Sequence, residues 1–390
     1  MKTRKFAASA LILVIAALIA GLSACDQIQQ LILPETPQME EFSGEISIGA
    51  VHPITGRLGL ENPPLGQGFE LAVTEINNLQ RNNMKIKLIV EDDQSTVEGA
   101  VEAFNKLIHQ DGISAILGPA TSMQAQTVFP IAQKNGIVAI SPTSAARGLS
   151  AIGDSIFRIA LTTDVLIPSG VRITQEKLGY KKVATIYDES DLFSTDSEAV
   201  VKEALAANGV EVLTTETFQT GETDFSAQLT RIKDLNPDAI FISATVIETP
   251  EILIQGRQLG IPADVPFLIM FTLSSGQIQP AGDAAEGAIA FTTWISTADT
   301  PGNRDFVQNY QAAYGIEPDV WAAQSYATVY ILAKAIADAQ SADPNAIRDA
   351  LANITDFDTV LGKFSFNAVG DAVYDPIVLI VKDGEFEVFE

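Results

Sequence analysis

Residues 114–145 read SAILGPATSMQAQTVFPIAQKNGIVAISPTSA, and this stretch decides the fold. Ser114–Leu117 is short, apolar and followed by Gly118-Pro119, which marks a strand and its end. Ser122–Lys134 carries apolar side chains at helical spacing, with the hydroxyls of Thr121 and Ser122 at its start, where helix caps belong. Ile137–Ile140 is a second short strand. Strand, helix and strand of these lengths form a βαβ unit, and hence a parallel sheet. Both strands run into loops rich in hydroxyls and small residues, Gly118–Ser122 and Ser141–Ala145. Ligands of open parallel sheets bind beyond the carboxyl ends of the strands, where helix starts offer unpaired N–H groups to an anion.

The same alternation extends outward in both directions. Upstream it predicts strands at Ile46–Val51 and Lys85–Val90, and helices at Gly66–Leu79 and Val97–Gln110. Near Phe157-Arg158-Ile159 one such unit ends and another begins. Downstream strands are expected at Lys182–Tyr187, Glu211–Thr217, Asp238–Ser243 and Pro266–Met270. The intervening helices are Thr195–Asn208, Asp224–Leu235 and Pro250–Leu259. Three more helices follow at Asn303–Tyr314, Trp321–Ala339 and Pro344–Ala352, the last with proline near its start. The tail is β-like at Lys363–Phe366 and Pro376–Val381, with a turn at Lys382-Asp383-Gly384. Two similar α/β halves make a two-lobed protein, in which periodicity leaves the ownership of the tail open.

Composition narrows the function. The chain has 390 residues, 47% of them hydrophobic and 19% charged, with a formal net charge of −25. That length accommodates two ordinary domains, each with its own core. Disorder as the main state is excluded, because it requires low hydrophobicity. Such an acidic chain without a basic patch repels nucleic acid phosphates. Two histidines and one cysteine leave little for metal, disulfide or thiol chemistry. No phosphate loop, nucleophile elbow or His-Glu-x-x-His motif occurs, so no enzyme and no cofactor is expected. His52 and His109 read as surface or turn residues. The acid pairs Asp92-Asp93 and Asp188-Glu189 end strands, where carboxylates cap the next helix or face water.

The first residues are not part of the fold. Lys2, Arg4 and Lys5 precede an apolar run from Phe6 to Leu22, and Leu22-Ser23-Ala24-Cys25 follows. A basic start, an apolar middle and small residues before a cut site describe an export signal. The sequence Leu-Ser-Ala-Cys resembles the bacterial lipoprotein signal, which implies cleavage after Ala24 and lipidation of Cys25. Several acyl chains on one residue suffice for stable anchoring. Residues 25–44, with Pro34 and Pro37 among Gln and Glu, read as a flexible tether. The expected location is extracytoplasmic, on a membrane surface.

From Glu45 to Glu390 the chain resembles the substrate-binding proteins of branched-chain amino acid ABC transporters, the leucine/isoleucine/valine type. The resemblance rests on Ile48-Gly49-Ala50 with Thr55-Gly56, on Gly68-Phe69-Glu70-Leu71-Ala72 with Glu75-Ile76-Asn77, and on Glu91-Asp92-Asp93. Gly118-Pro119 with Ser122, Ser141-Pro142-Thr143, Phe157-Arg158, Asp224-Phe225-Ser226 and Pro237-Asp238-Ala239-Ile240 continue it. Ala285-Glu286-Gly287, the Tyr326–Ala335 helix and Gly362–Phe366 with Gly370-Asp371 complete the order and spacing. The resemblance implies a type I periplasmic binding protein fold, with two Rossmann-like lobes joined by three crossovers and a ligand held between them. Lobe one is then residues 45–162 plus 294–360, and lobe two 163–293 plus 361–390. It further implies binding by hinge closure, a monomer, and ABC permease subunits as partners. A sensing lipoprotein that presents its closed form to a membrane kinase is the alternative.

Carried over residue by residue, the resemblance gives a candidate site. Ser122 matches the lobe-one serine after Gly-Pro, and backbone N–H groups near Thr143 and Ser144 complete an anchor for a carboxylate. Ala145, with Ser144 beside it, stands where amino acid binders place a threonine hydroxyl on the ligand's ammonium. Glu61 stands at an aromatic wall position. On lobe two, one aromatic position falls on Leu192 with Phe193 next to it, a second falls on Thr245, and the ammonium's acid aligns with Phe271. The carboxylate half is thus retained and the ammonium half departs from the pattern. Either the ligand lacks an ammonium and packs on Phe193 and Phe271, or Glu61 supplies the missing charge.

Overall fold

The computed structural model describes residues 44–59, 63–79, 84–270 and 278–389. Cys25, Glu61 and Phe271, named above for lipidation and ligand binding, lie outside these residues.

Five parallel strands form the first sheet: β1 (Gly44–His52), β2 (Met84–Asp92), β3 (Ala115–Leu117), β4 (Val138–Ser141) and β5 (Ile156–Arg158), in the order β2-β1-β3-β4-β5. Ile46, Ile48, Ala50 and Val51 of β1 are all buried. Helices cover both faces of such a sheet, which is why its strands read as unbroken apolar runs. The helix Ser122–Lys134 starts in a capping box, in which the Thr121 hydroxyl accepts the Gln124 N–H and the Gln124 side chain returns to the Thr121 N–H. The helix expected over 97–110 is α-helical only to Lys106. One wider turn, Leu107–Asp111, follows and ends at Gly112 with φ of 62°.

The chain then crosses to a second sheet and a second core. β6 (Lys182–Asp188), β7 (Glu211–Phe218), β8 (Ala239–Ser243), β9 (Phe267–Ile269) and β10 (Ile289–Thr292) run parallel, whereas β14 (Ile377–Lys382) and β15 (Glu385–Val388) add antiparallel at one edge. The order is β15-β14-β10-β9-β8-β6-β7. β14 and β15 meet at the Lys382-Asp383-Gly384 turn, with φ of 52° at Asp383 and 79° at Gly384, as a two-residue hairpin requires. β5, β10, β15 and the helix Thr163–Leu178 were not anticipated from the pattern. That helix carries Pro168 and several β-branched residues, all weak helix formers. Its Ile167 and Val171 nevertheless pack into the second core with Phe241, Leu268 and Phe291.

After β10 the chain returns to the first sheet. The helix Val320–Ala339, buried along most of its length, lies against the helices Pro63–Asn78 and Pro344–Leu351. A Cβ on Gly68 would come within 2.3 Å of Ser325 Oγ and 2.4 Å of the Ala322 carbonyl oxygen, so glycine there permits the close approach. Glu75 ties the same pair together, accepting the hydroxyls of Tyr326 (2.5 Å) and Tyr330 (2.8 Å). The tail divides. β12 (Gly362–Phe366) joins β11 (Phe357–Thr359) and β13 (Ala372–Val373) in a small sheet of its own, before β14 rejoins the larger one. Phe366 of β12 packs edge-on against Phe157 of β5. The chain therefore passes between the two main sheets three times.

Candidate functional site

The carboxyl ends of the two sheets face one another, and the loops leaving them touch across the gap. On the first lobe, the loop after β1 is gripped by Asp92. Its Oδ1 accepts the N–H groups of Ile54 (3.0 Å), Thr55 (3.1 Å) and Gln94 (2.8 Å), and its Oδ2 accepts the Thr55 hydroxyl (2.5 Å). Burial alone raises the Asp92 carboxyl, but these four donors outweigh it and bring it down to about 2. The loop turns at Gly56, whose φ of 79° and 2.2 Å Cβ-to-oxygen approach to Gln94 leave room only for glycine. The Ser95 hydroxyl accepts the Leu58 N–H and donates to the Thr55 carbonyl, which holds the far side of the loop. Asp93, which accepts the Ser95 N–H, is wholly buried, and that burial pushes its carboxyl up to about 6.

These carboxylates correct the sequence reading. Asp93 and Asp188 are fully buried rather than facing water, and neither caps a helix; Asp188 accepts the hydroxyls of Ser190 and Thr220. His52 is likewise buried, at 8% exposure, against Gly66 and Phe69 rather than in a surface turn. His109 is exposed as expected.

The two hydroxyl-rich loops interlock beneath the cleft. Ser122 Oγ accepts the N–H groups of both Ala145 and Ala146, each at 3.2 Å. Ser141 Oγ accepts the Ser144 N–H (3.0 Å) and donates to the Pro119 carbonyl (2.7 Å), while the Thr143 hydroxyl donates to the Ala120 carbonyl (2.6 Å). A serine hydroxyl has two lone pairs and one hydrogen. Ser122 has therefore committed its acceptor capacity to the loop and keeps one hydrogen to donate. The Ser144 hydroxyl is buried with no hydrogen-bond partner among the described residues.

Arg158 holds this floor in place. Its guanidinium, fully buried, donates to Asp371 Oδ1 from Nε (2.9 Å) and Nη2 (2.5 Å), to Ser150 Oγ (2.9 Å), and to the Ala146 (2.5 Å) and Ser144 (3.4 Å) carbonyls. The carbonyls of Ser144 and Ala146 thus point down to Arg158, the Ala145 carbonyl accepts the Thr163 N–H (3.0 Å), and the N–H groups of Ala145 and Ala146 point to Ser122.

Lobe two contributes the opposite wall. Asp191 caps the helix Leu192–Ala207 by accepting the Ser194 N–H at 2.8 Å, which projects Phe193 from the first turn. Phe193 packs on Ala145 and Ala160, so two of the residues named from the sequence meet across the lobes. Thr245, beyond β8, donates to Glu248 Oε2 at 2.7 Å. Glu248 is buried and also accepts the Gly221 N–H at 3.0 Å.

Charged side chains overlooked in the sequence join the lobes. Arg57 of the Asp92-gripped loop donates to Glu248 Oε1 at 2.6 Å and to Thr245 Oγ1 at 3.4 Å. Arg147 donates its N–H and its Nε–H to the two oxygens of Asp196, at 2.9 and 2.8 Å, and the Thr163 hydroxyl meets the same carboxylate. The only available signal for Arg57 was its place in an acidic chain, one residue after Thr55-Gly56. Glu248 reads as an ordinary first-turn acid of its helix.

A hollow of about 630 Å³ lies elsewhere, lined by Arg257, Asp283, Glu286 and Lys382 among others. It sits toward the amino ends of β9 and β10, away from the strand ends where ligands of such sheets bind. Among the described residues, no group of three His, Cys, Asp or Glu side chains is arranged to hold a metal ion, and no helix is long and apolar enough to cross a membrane.

The family model described as periplasmic binding protein matches residues 45–384. The Leu/Ile/Val-binding protein BraC3 of Rhizobium johnstonii is 27% identical over 333 residues, 84% of this chain and 89% of that protein. The branched-chain amino acid transporter substrate binding protein LivJ of Streptococcus pneumoniae, solved with isoleucine, superposes with a TM-score of 0.83 at 27% identity, covering 89% of this chain and 99% of that one. A solute binding protein from R. palustris, solved with benzoate, shares the fold with a TM-score of 0.80 at 22% identity, over 88% and 95% of the two chains.

Proposed function

Because the chain belongs to the periplasmic binding protein family, we propose that it is a lipid-anchored receptor that captures a small polar or amphipathic solute between its lobes and hands it to an ABC permease. In this reading residues 1–24 are the export signal, Cys25 carries the lipid, and residues 25–44 are the tether. The lobes comprise 45–162 with 294–360, and 163–293 with 361–390. Closure follows from differential affinity: a ligand that touches both lobes favours the closed form by the contacts that only that form offers.

The ligand is a carboxylate or amide without an ammonium. The observation that carries this is the contact of Phe193 with Ala145, an apolar pair that bridges the lobes beside the Ser122 and Ser144 hydroxyls. An ammonium buried there finds no carboxylate on either side chain to balance its charge, and an unpaired buried charge is strongly disfavoured. Ser122, Thr143, Ser144 and Ala145 form the lobe-one side of the site, Phe193, Thr245 and Phe271 the lobe-two side. Glu61, at the aromatic wall position of the resemblance, would supply the charge if the ligand did carry an ammonium. The fold itself accepts an acid without an amine, as the benzoate complex of the R. palustris protein illustrates.

A thermal-shift screen over amino acids, short carboxylates, amides and aromatic acids tests this. A ligand at a hundredfold its dissociation constant stabilises by about 2.7 kcal/mol, well within view of such a screen. The expected result is a larger shift with an amine-free carboxylate or amide than with leucine, isoleucine or valine. Micromolar leucine binding that disappears in Glu61→Gln overturns the ligand assignment. For the anchor, Cys25→Ser releases the protein from the membrane fraction, and unchanged association defeats that part.

A further inference from the structure

The contact between Arg57 and Glu248 joins residues 191 positions apart, one on each lobe. Its two sides differ. The Glu248 side chain is 1% exposed and bound to Thr245 and Gly221, so it is a fixed feature of the lobe-two wall. The Arg57 side chain is 34% exposed and arrives on a loop that Asp92 and Ser95 hold rigid. Its charge also reaches Asp191, where it partly offsets the upward push of burial on that carboxyl. The wall that Arg57 faces is acidic, with Asp188, Asp191 and Glu248 all at carboxyl ends of lobe-two strands or at the helix starts beyond them. A cation is needed there when the lobes close, because a carboxylate shut away from water without one is strongly disfavoured.

We propose that Arg57 occupies the cation seat on Glu248: a clasp supplied by the chain itself, which holds the mouth of the cleft shut and denies this carboxylate to a ligand's ammonium. The inference rests on the cleft being the solute site. It adds a physical reason for ligand choice, since a ligand with an ammonium at this end must displace a guanidinium already bonded at 2.6 Å. A ligand without one gains from a cleft that is already closing.

Solution scattering of the ligand-free mature protein and isothermal titration with two probes, leucine and isocaproate (the leucine skeleton without its amine), test both parts. Arg57→Ala is expected to enlarge the radius of gyration, Arg57→Lys to keep it near that of the unsubstituted protein, and Glu248→Gln to enlarge it as Arg57→Ala does. Leucine should bind Arg57→Ala about tenfold more tightly than it binds the unsubstituted protein, and isocaproate about tenfold more weakly. Superimposable scattering of Arg57→Ala and the unsubstituted protein overturns the clasp. Opening without a gain for leucine overturns the exclusion of ammonium. A protein that opens in Arg57→Ala but binds nothing in the wider screen leaves the clasp standing and sinks the solute-site reading instead.

Discussion

Arg158 and Arg57 both belong to lobe one and both bind a carboxylate far away in sequence, but the two do different work. Arg158 is wholly buried and spreads its donors over Asp371, Ser150 and the carbonyls of Ser144 and Ala146. Arg57 is a third exposed, and its bonds cross to loops of the other main sheet, whereas Asp371 adjoins β13 of the small sheet. A buried arginine with every neighbour committed is structural, since losing it strands the carbonyls of two buried residues and a mostly buried carboxylate. An arginine at a cleft mouth stabilises one conformation over another, because opening returns both partners to water. The difference teaches that burial and the number of satisfied neighbours, more than the ion pair itself, decide what an arginine does.

The largest effect should come from Arg158→Met, which leaves Asp371 and the carbonyls of Ser144 and Ala146 without their donor. A loss of about 3–5 kcal/mol in urea unfolding is expected, and a loss below about 1 kcal/mol would erase the contrast with Arg57. Asp93→Asn sharpens the comparison by loosening the ground beneath the Arg57 loop. The Asp93 carboxyl is raised to about 6 by burial, so the folded chain binds its proton more tightly than the unfolded chain. Its contribution is full below about pH 4 and is lost as pH rises toward 6. Relative to the unsubstituted protein, Asp93→Asn should therefore gain on the order of 2 kcal/mol between pH 4 and pH 7. A constant difference across that window would show that Asp93 does not titrate there. Asp319, also raised to about 6 by burial, keeps part of the slope in both proteins.

Ser122→Ala should cost about 1–2 kcal/mol, because the N–H groups of Ala145 and Ala146 lose their acceptor. The ligand found by the thermal-shift screen should bind that variant more than about threefold more weakly, through the lost donor. Stability loss without affinity loss makes Ser122 part of the floor alone. The smallest effect on stability belongs to Arg57→Ala, under about 1 kcal/mol in urea unfolding, as for other partly exposed pairs. A cost as large as that of Arg158→Met would mean that the lobes cannot part.

Much of the fold was legible because it is written in local periodicity. The helices Ser122–Lys134 and Asn303–Tyr314 have the bounds their apolar spacing predicts. The helix Thr163–Leu178 escaped because Pro168 and its β-branched residues argue locally against it, and only the second core overrides them. Strands β10 and β15 are four residues each and, unlike the equally short Ser114–Leu117 and Ile137–Ile140, do not directly flank a helix legible from its apolar spacing. Within the site, Ser122, Ser144 and Ala145 were legible as a hydroxyl-rich loop pair at strand ends. Their bonding was not, since Ser122 turns its lone pairs to the loop's own N–H groups.

The sequence by itself determined the alternation of strands and helices, the two α/β halves and the strand-end loops that line their facing ends. All of these follow from neighbours a few residues apart, where side-chain spacing dictates backbone hydrogen bonding and burial. Only the tertiary structure decided that Asp93 is buried while Asp92 grips a loop, that Arg158 lies beneath the Ser144–Ala146 segment, and that Arg57 meets Glu248. Charge pairing depends on distance and on exclusion of water, and neither exists until segments remote in the chain have packed together.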